Sequence, residues 1–155
     1  MHRVLAFIFT VFTSFNAQAV EPKTIHDSIV YEFQGDFEYA RDDLKEAIKS
    51  RGLVISYISH AKTMLDRTAA VTGVTKPAYP NGAEIMLFCK SDTSHKLTQA
   101  NPHHITLCPY AISVYDIQGA TGKVFFSYRK PPTGIQEYEA IEKLLRDIIE
   151  EVIEG

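Results

Sequence analysis

The chain has 155 residues, 45% of them hydrophobic, and 16 Lys and Arg against 19 Asp and Glu give a formal net charge of −3. That length suits one domain with a core able to stand without staples. The acidic balance argues against nucleic acid as a partner, because phosphate neutralisation requires clustered Lys and Arg.

Taken in chain order, the first segment is a leader. Met1, His2 and Arg3 are followed by a mostly apolar run, residues 4–12, and then by Ala17-Gln18-Ala19, a small-x-small site. This pattern predicts a secretory signal peptide over residues 1–19, cut after Ala19. The apolar run is shorter than the about 20 residues that span a bilayer. Removing it takes away one of the 16 basic residues and none of the 19 acidic ones, leaving 136 residues (20–155) at a net charge of −4. The expectation is a single periplasmic or secreted domain with no membrane anchor in its mature form.

Residues 20–27 are polar and read as loose. Residues 28–33, rich in β-branched and aromatic types, predict a strand. Gly35 turns the chain and Asp36 offers a helix N-cap. Phe37, Ala40, Leu44, Ala47 and Ile48 then recur near a 3.6 period, and Gly52 supplies the stop. Residues 53–58 predict a second strand and residues 61–71 a short helix. Residues 72–82, with Gly73, Pro77, Pro80 and Asn81-Gly82, form a loop long enough to be a functional flap or a surface excursion.

Residues 83–89 are apolar enough for a central strand. A short helix runs from Ser91 or Asp92 to about Ala100, and residues 103–109 are an irregular connector. Residues 111–117 and 123–129 predict a hairpin. Tyr138, Ile141, Leu144, Leu145, Ile148, Ile149 and Val152 form the apolar stripe of a final helix, its acidic side chains mostly off the stripe. The predicted order is β-α-β-(α)-β-(α)-β-β-α. It describes an α+β fold: a mostly antiparallel sheet of four to five strands, with two main helices packed on one face.

Several segments together resemble a known type. These are Ile58-Ser59-His60-Ala61, Glu84-Ile85-Met86-Leu87-Phe88-Cys89, Thr98-Gln99-Ala100-Asn101-Pro102, Leu107-Cys108-Pro109 leading into Ala111-Ile112-Ser113-Val114-Tyr115-Asp116, and Gly122-Lys123-Val124 with Ser127-Tyr128 before Pro131. The ordered set resembles the domain-of-unknown-function family 302 over roughly residues 28–131, and the last helix also fits. The resemblance implies a compact α+β domain that often occurs in exported bacterial proteins, with no settled activity. Many relatives read Phe-Gly-Asn-Pro where Phe88-Cys89-Lys90-Ser91 stands, and Leu-Pro where Cys108-Pro109 stands. Some carry a Cys after that Pro, where Tyr110 stands here, so no role of that Cys transfers. Cys89 and Cys108 therefore look like additions of this chain.

In an exported protein two Cys are first read as a disulfide, Cys89–Cys108. Its loop of about 20 residues would contribute roughly 3 kcal/mol in the chain-entropy model. The rivals are two isolated thiols, or a metal or redox site in which Cys89, His95, His103, His104 and Cys108 bind zinc, copper or haem. The spacing C-x5-H-x7-H-H-x3-C matches no common zinc motif, and Cys108-Pro109 shares only two residues with a haem-responsive dipeptide. His60, at a strand end, is more often a structural residue, yet its ordinary pKa near ~6.5 suits ligand or acid–base work. Nucleophile-elbow, phosphate-loop, dinucleotide and C-x-x-C-H patterns are absent. The preferred expectation is thus a domain that binds a small ligand or a protein partner without evident catalytic machinery, with a homodimer through a sheet edge compatible with it. The alternative is a metal- or haem-binding redox accessory, and an enzyme using His60 is the third class.

Overall fold

The computed structural model describes residues 20–155; the expected signal peptide over residues 1–19 lies outside the described residues. Strands β1 (Lys23–Ile25), β2 (Ser28–Gln34), β3 (Val54–His60), β4 (Ala83–Cys89), β5 (Tyr110–Asp116) and β6 (Lys123–Arg129) form one sheet in the order β1-β2-β6-β5-β4-β3. Every neighbouring pair is antiparallel. Helices α1 (Phe37–Ser50), α2 (Ala61–Thr72), α3 (Ser91–Ala100) and α4 (Gln136–Glu154) join them, with a 3-10 turn at Pro102–Leu107 in the expected irregular connector.

The fold is α+β as expected, but the sheet has six strands, not four to five. The extra strand, β1, lies in the segment read as loose. It exists because the outer edge of β2 offers a ladder, with Lys23 opposite Val30 and Ile25 opposite Ser28. His26 turns the chain between them at φ 56, in the left-handed region.

Local chemistry explains the two main helices. The Asp36 carboxylate accepts from the Glu38 backbone N–H at 2.8 Å, capping α1, and Gly52 at φ 71 ends it by donating to the Lys49 carbonyl. Phe37, Ala40, Leu44, Ala47 and Ile48 are all buried, as their spacing requires. In α4 the buried stripe is Tyr138, Ile141, Leu145, Ile148, Ile149 and Val152. The cross-strand pairs Ile29–Tyr128, Tyr31–Phe126, Met86–Ile112 and Phe88–Tyr110 put one face of the sheet into the same apolar cluster. Burying each such side chain contributes roughly 1.5–3 kcal/mol. Arg51 fastens the two helices: its guanidinium donates to the Ala47 and Asp147 carbonyls, each at 2.9 Å, and pairs with Glu151.

The smaller helices differ from each other. α3 sends Leu97 into the core. α2 has no buried residue and leaves Met64, Leu65 and Val71 exposed. No helix among the described residues is long and apolar enough to cross a membrane.

Candidate functional site

Cys89 ends β4 and Cys108 stands two residues before β5, and the two are joined in a disulfide with their Cα atoms 6.3 Å apart. The bridge encloses α3 and the 3-10 turn, so this segment is tied at both ends to neighbouring strands. Beside it the Ser94 and Tyr110 hydroxyls meet at 3.0 Å, and Phe88 and Tyr110 stack edge to face. Burial pushes the Tyr110 hydroxyl above the usual tyrosine value.

The start of β5 borders a cleft. The β5–β6 ladder runs from Asp116↔Val124 only to Ser113↔Ser127, although β5 begins at Tyr110 and β6 continues to Arg129. The two strands therefore part. Pro109 precedes β5 and Pro131 follows β6, so the parted ends run out at residues whose ring nitrogens cannot donate to a ladder. The wedge opens into a cleft of about 350 Å³. Its polar lining includes Ser28, Ser113, Ser127 and Arg129, and its apolar walls include Leu107, Ile141 and Leu145. Tyr128, also on the wall, has its hydroxyl pushed up to about 12 by burial and by Glu142, so it remains a neutral donor at physiological pH.

His60 lies elsewhere, at the junction of β3 and α2, and borders none of this cleft. Its Nδ1 sits 3.2 Å from Glu84 Oε1, a contact that orients the ring and leaves Nε2 free. The other oxygen of Glu84 is buried with no hydrogen-bond partner among the described residues. The remaining histidines do not gather round the sulfurs. His95 is exposed on α3, His103 is exposed in the 3-10 turn, and His104 packs edge-on against Tyr138 with ring centroids 4.9 Å apart. Among the described residues no three His, Cys, Asp or Glu side chains converge as a metal-binding group. Both sulfurs of the proposed metal set are engaged with each other.

The long loop, read as a functional flap or a surface excursion, is held down at its far end. Asp116, 5% exposed, accepts from the backbone N–H groups of Asn81 and Gly82, Gln118 donates to the Ala78 carbonyl, and Tyr79 meets Tyr115 edge to face. Residues 73–82 do not line the β5–β6 cleft. Sequence reading missed Ser28, Ser113, Ser127 and Arg129 as site residues. No local sequence signal marks them, because the end of the β5–β6 ladder at Ser113↔Ser127 is a matter of strand pairing.

The family model described as "Domain of unknown function DUF302" matches residues 29–154. The chain belongs to the DUF302 family. This DUF302 domain is also similar to a solved structure, the crystal structure of an uncharacterized conserved protein DUF302 from Bacillus stearothermophilus. The TM-score is 0.66 at 14% identity, covering 83% of this chain and 99% of that one. At that identity the likeness establishes a shared fold. No curated protein matches the sequence.

Proposed function

We propose that this DUF302 domain binds a small ligand in the cleft between the parted ends of β5 and β6. The observation that carries this reading is the early end of the ladder at Ser113↔Ser127, which opens about 350 Å³ lined by both hydroxyl and apolar side chains. That volume is within the range of small-molecule sites, and a few polar groups among apolar walls is their usual character. The disulfide supports work in an oxidising compartment after export. The test is an amide chemical-shift screen with small acids, alcohols, amines and sugars. Shifts clustering at Ser28, Ala111, Ser113, Ser127 and Arg129, and lost in an Ala111→Trp variant of unchanged melting temperature, would support it. Shifts that avoid those residues, or that survive the filled cleft, would defeat it.

A second reading concerns assembly. β3 is an edge strand whose sequence, Val54-Ile55-Ser56-Tyr57-Ile58-Ser59-His60, contains no Lys or Pro, and Val54 and Tyr57 are exposed. Edges are usually guarded by such residues; the opposite edge, β1, is three residues long and carries Lys23. We propose that β3 pairs antiparallel with β3 of a second copy, an arrangement that is self-complementary about a two-fold axis. Sedimentation of wild type and Tyr57→Lys checks it: a dimer converted to monomer is expected, and a wild-type monomer at high concentration rules it out.

A further inference from the structure

We propose that two copies of the chain clasp each other, α2 of each lying on the outer face of the other's sheet. The contact is separate from pairing along β3, which would use backbone groups in the plane of the sheet.

One half of the contact is a helix that its own chain leaves bare. α2 follows β3 with no residue between them, so the edge strand fixes where it starts, and none of its residues is buried. At about 100° per residue, Ala61, Met64, Leu65, Thr68, Val71 and Thr72 fall within an arc of about 120°. The charged residues of the helix, Lys62, Asp66 and Arg67, lie off that arc, and Lys62 pairs with Asp66. Met64, Leu65 and Val71 are 47%, 43% and 90% exposed. The Thr68 hydroxyl donates to the Met64 carbonyl and the Thr72 hydroxyl to the Thr68 carbonyl. Both hydroxyls are thus satisfied within the helix, and the arc requires no polar group from a partner.

The other half is the sheet face turned away from α1 and α4. Met86 and Ile112 lie opposite each other on the core side. Strand alternation puts Ile85, Leu87 and Tyr115 on the outer side, where Leu87 lies opposite Tyr57 and Tyr115 opposite Phe125. None of these five outer residues belongs to the apolar cluster or packs against it. A strand with one solvated face alternates apolar with polar residues. β4 instead runs Ile85-Met86-Leu87-Phe88, the pattern of a strand covered on both sides.

A second copy is the occupant that answers both halves. Each chain supplies one bare helix and one bare face, so two chains about a two-fold axis match all four surfaces and leave none over. Helix on sheet is also the packing that the domain uses on its core side. The 12 residues of α2 make a rod about 18 Å long and about 10 Å across. Half of its surface and the sheet area beneath it, counted for both copies, come to roughly 1,100 Å², above the about 1,000 Å² that a specific interface requires.

The experiment is sedimentation of the full mature chain. Wild type is compared with Leu65→Glu in α2 and Leu87→Lys on the sheet face, each alone and the two mixed in equal amounts. Neither position lies in β3. Each variant alone should associate at least about tenfold more weakly, because its contact must bury an unpaired charge. This reads as half the wild-type mass (one chain from two, or two from four where β3 also pairs). The mixture should return to the wild-type mass: a mixed pair keeps one contact intact and sets the two introduced charges, opposite in sign, against each other in the other. Phe125→Lys repeats the sheet arm if Leu87→Lys fails to fold by circular dichroism. If only one of the two sites halves the mass, helix and face are not partners and the proposal falls. It falls equally if neither variant alters the mass, or if the mixture stays at the mass of the variants.

Discussion

The carboxylate of Asp116 holds Asn81: both of its oxygens accept from the Asn81 backbone N–H, at 3.1 and 3.0 Å, across 35 residues of sequence. Gly82 donates to the same carboxylate at 3.0 Å. This one buried acid ties the loop before β4 to the end of β5. Asp116→Ala is expected to cost about 1–3 kcal/mol, because buried amides lose their acceptor. Urea unfolding measures the loss, and hydrogen exchange should show residues 78–82 opening before the rest of the sheet.

Gly82 itself is required by space. A Cβ there would overlap the ring of Phe37, the first residue of α1. The ring is 5% exposed and has little room to retreat. Gly82→Ala should destabilise by about 1–3 kcal/mol, as overpacking does. Combining it with Phe37→Leu should recover part of that loss in a double-mutant cycle, and strictly additive costs would count against the clash.

The disulfide closes a separation of 19 residues. Cys89→Ser with Cys108→Ser should lower stability by roughly 3 kcal/mol. Unreduced mature protein should show no free thiol with Ellman's reagent. Two free thiols would remove the staple and reopen the thiolate chemistry.

Alkaline pH should weaken the fold. Tyr128 in the folded protein titrates at about 12 against an ordinary 10.0, because burial and Glu142 disfavour the phenolate. A group raised in this way supports the folded state fully below its unfolded value, and the unfolded chain sheds its proton first as pH climbs. Unfolding free energy should therefore fall as pH rises from 10.0 towards about 12. Tyr128→Phe should flatten the slope without abolishing it, since burial also raises Tyr31, Tyr110 and Tyr115. An unchanged slope in the variant would contradict the assignment.

If export is correct, protein recovered from the periplasm should begin at Val20. Edman sequencing or intact mass checks this directly, and a chain retaining residues 1–19 would overturn it.

What the sequence determined alone is the set of elements governed by near neighbours. Asp36, Gly52 and the 3.6-residue recurrence of Phe37, Ala40, Leu44, Ala47 and Ile48 specify α1 within one short window, and the stripe from Tyr138 to Val152 does the same for α4. The ordered family segments were equally legible, because each is a local string. The tertiary structure decided whatever depends on which strand lies beside which. β1 is a strand only because β2 gives it an edge, Asp116 is buried only because Asn81 and Gly82 arrive from elsewhere in the chain, and the cleft exists only because β5 and β6 stop pairing at Ser113 and Ser127. Periodicity reports a residue's own face of its own element, whereas register and the gaps between elements are set by contacts distant in sequence, which no local pattern encodes.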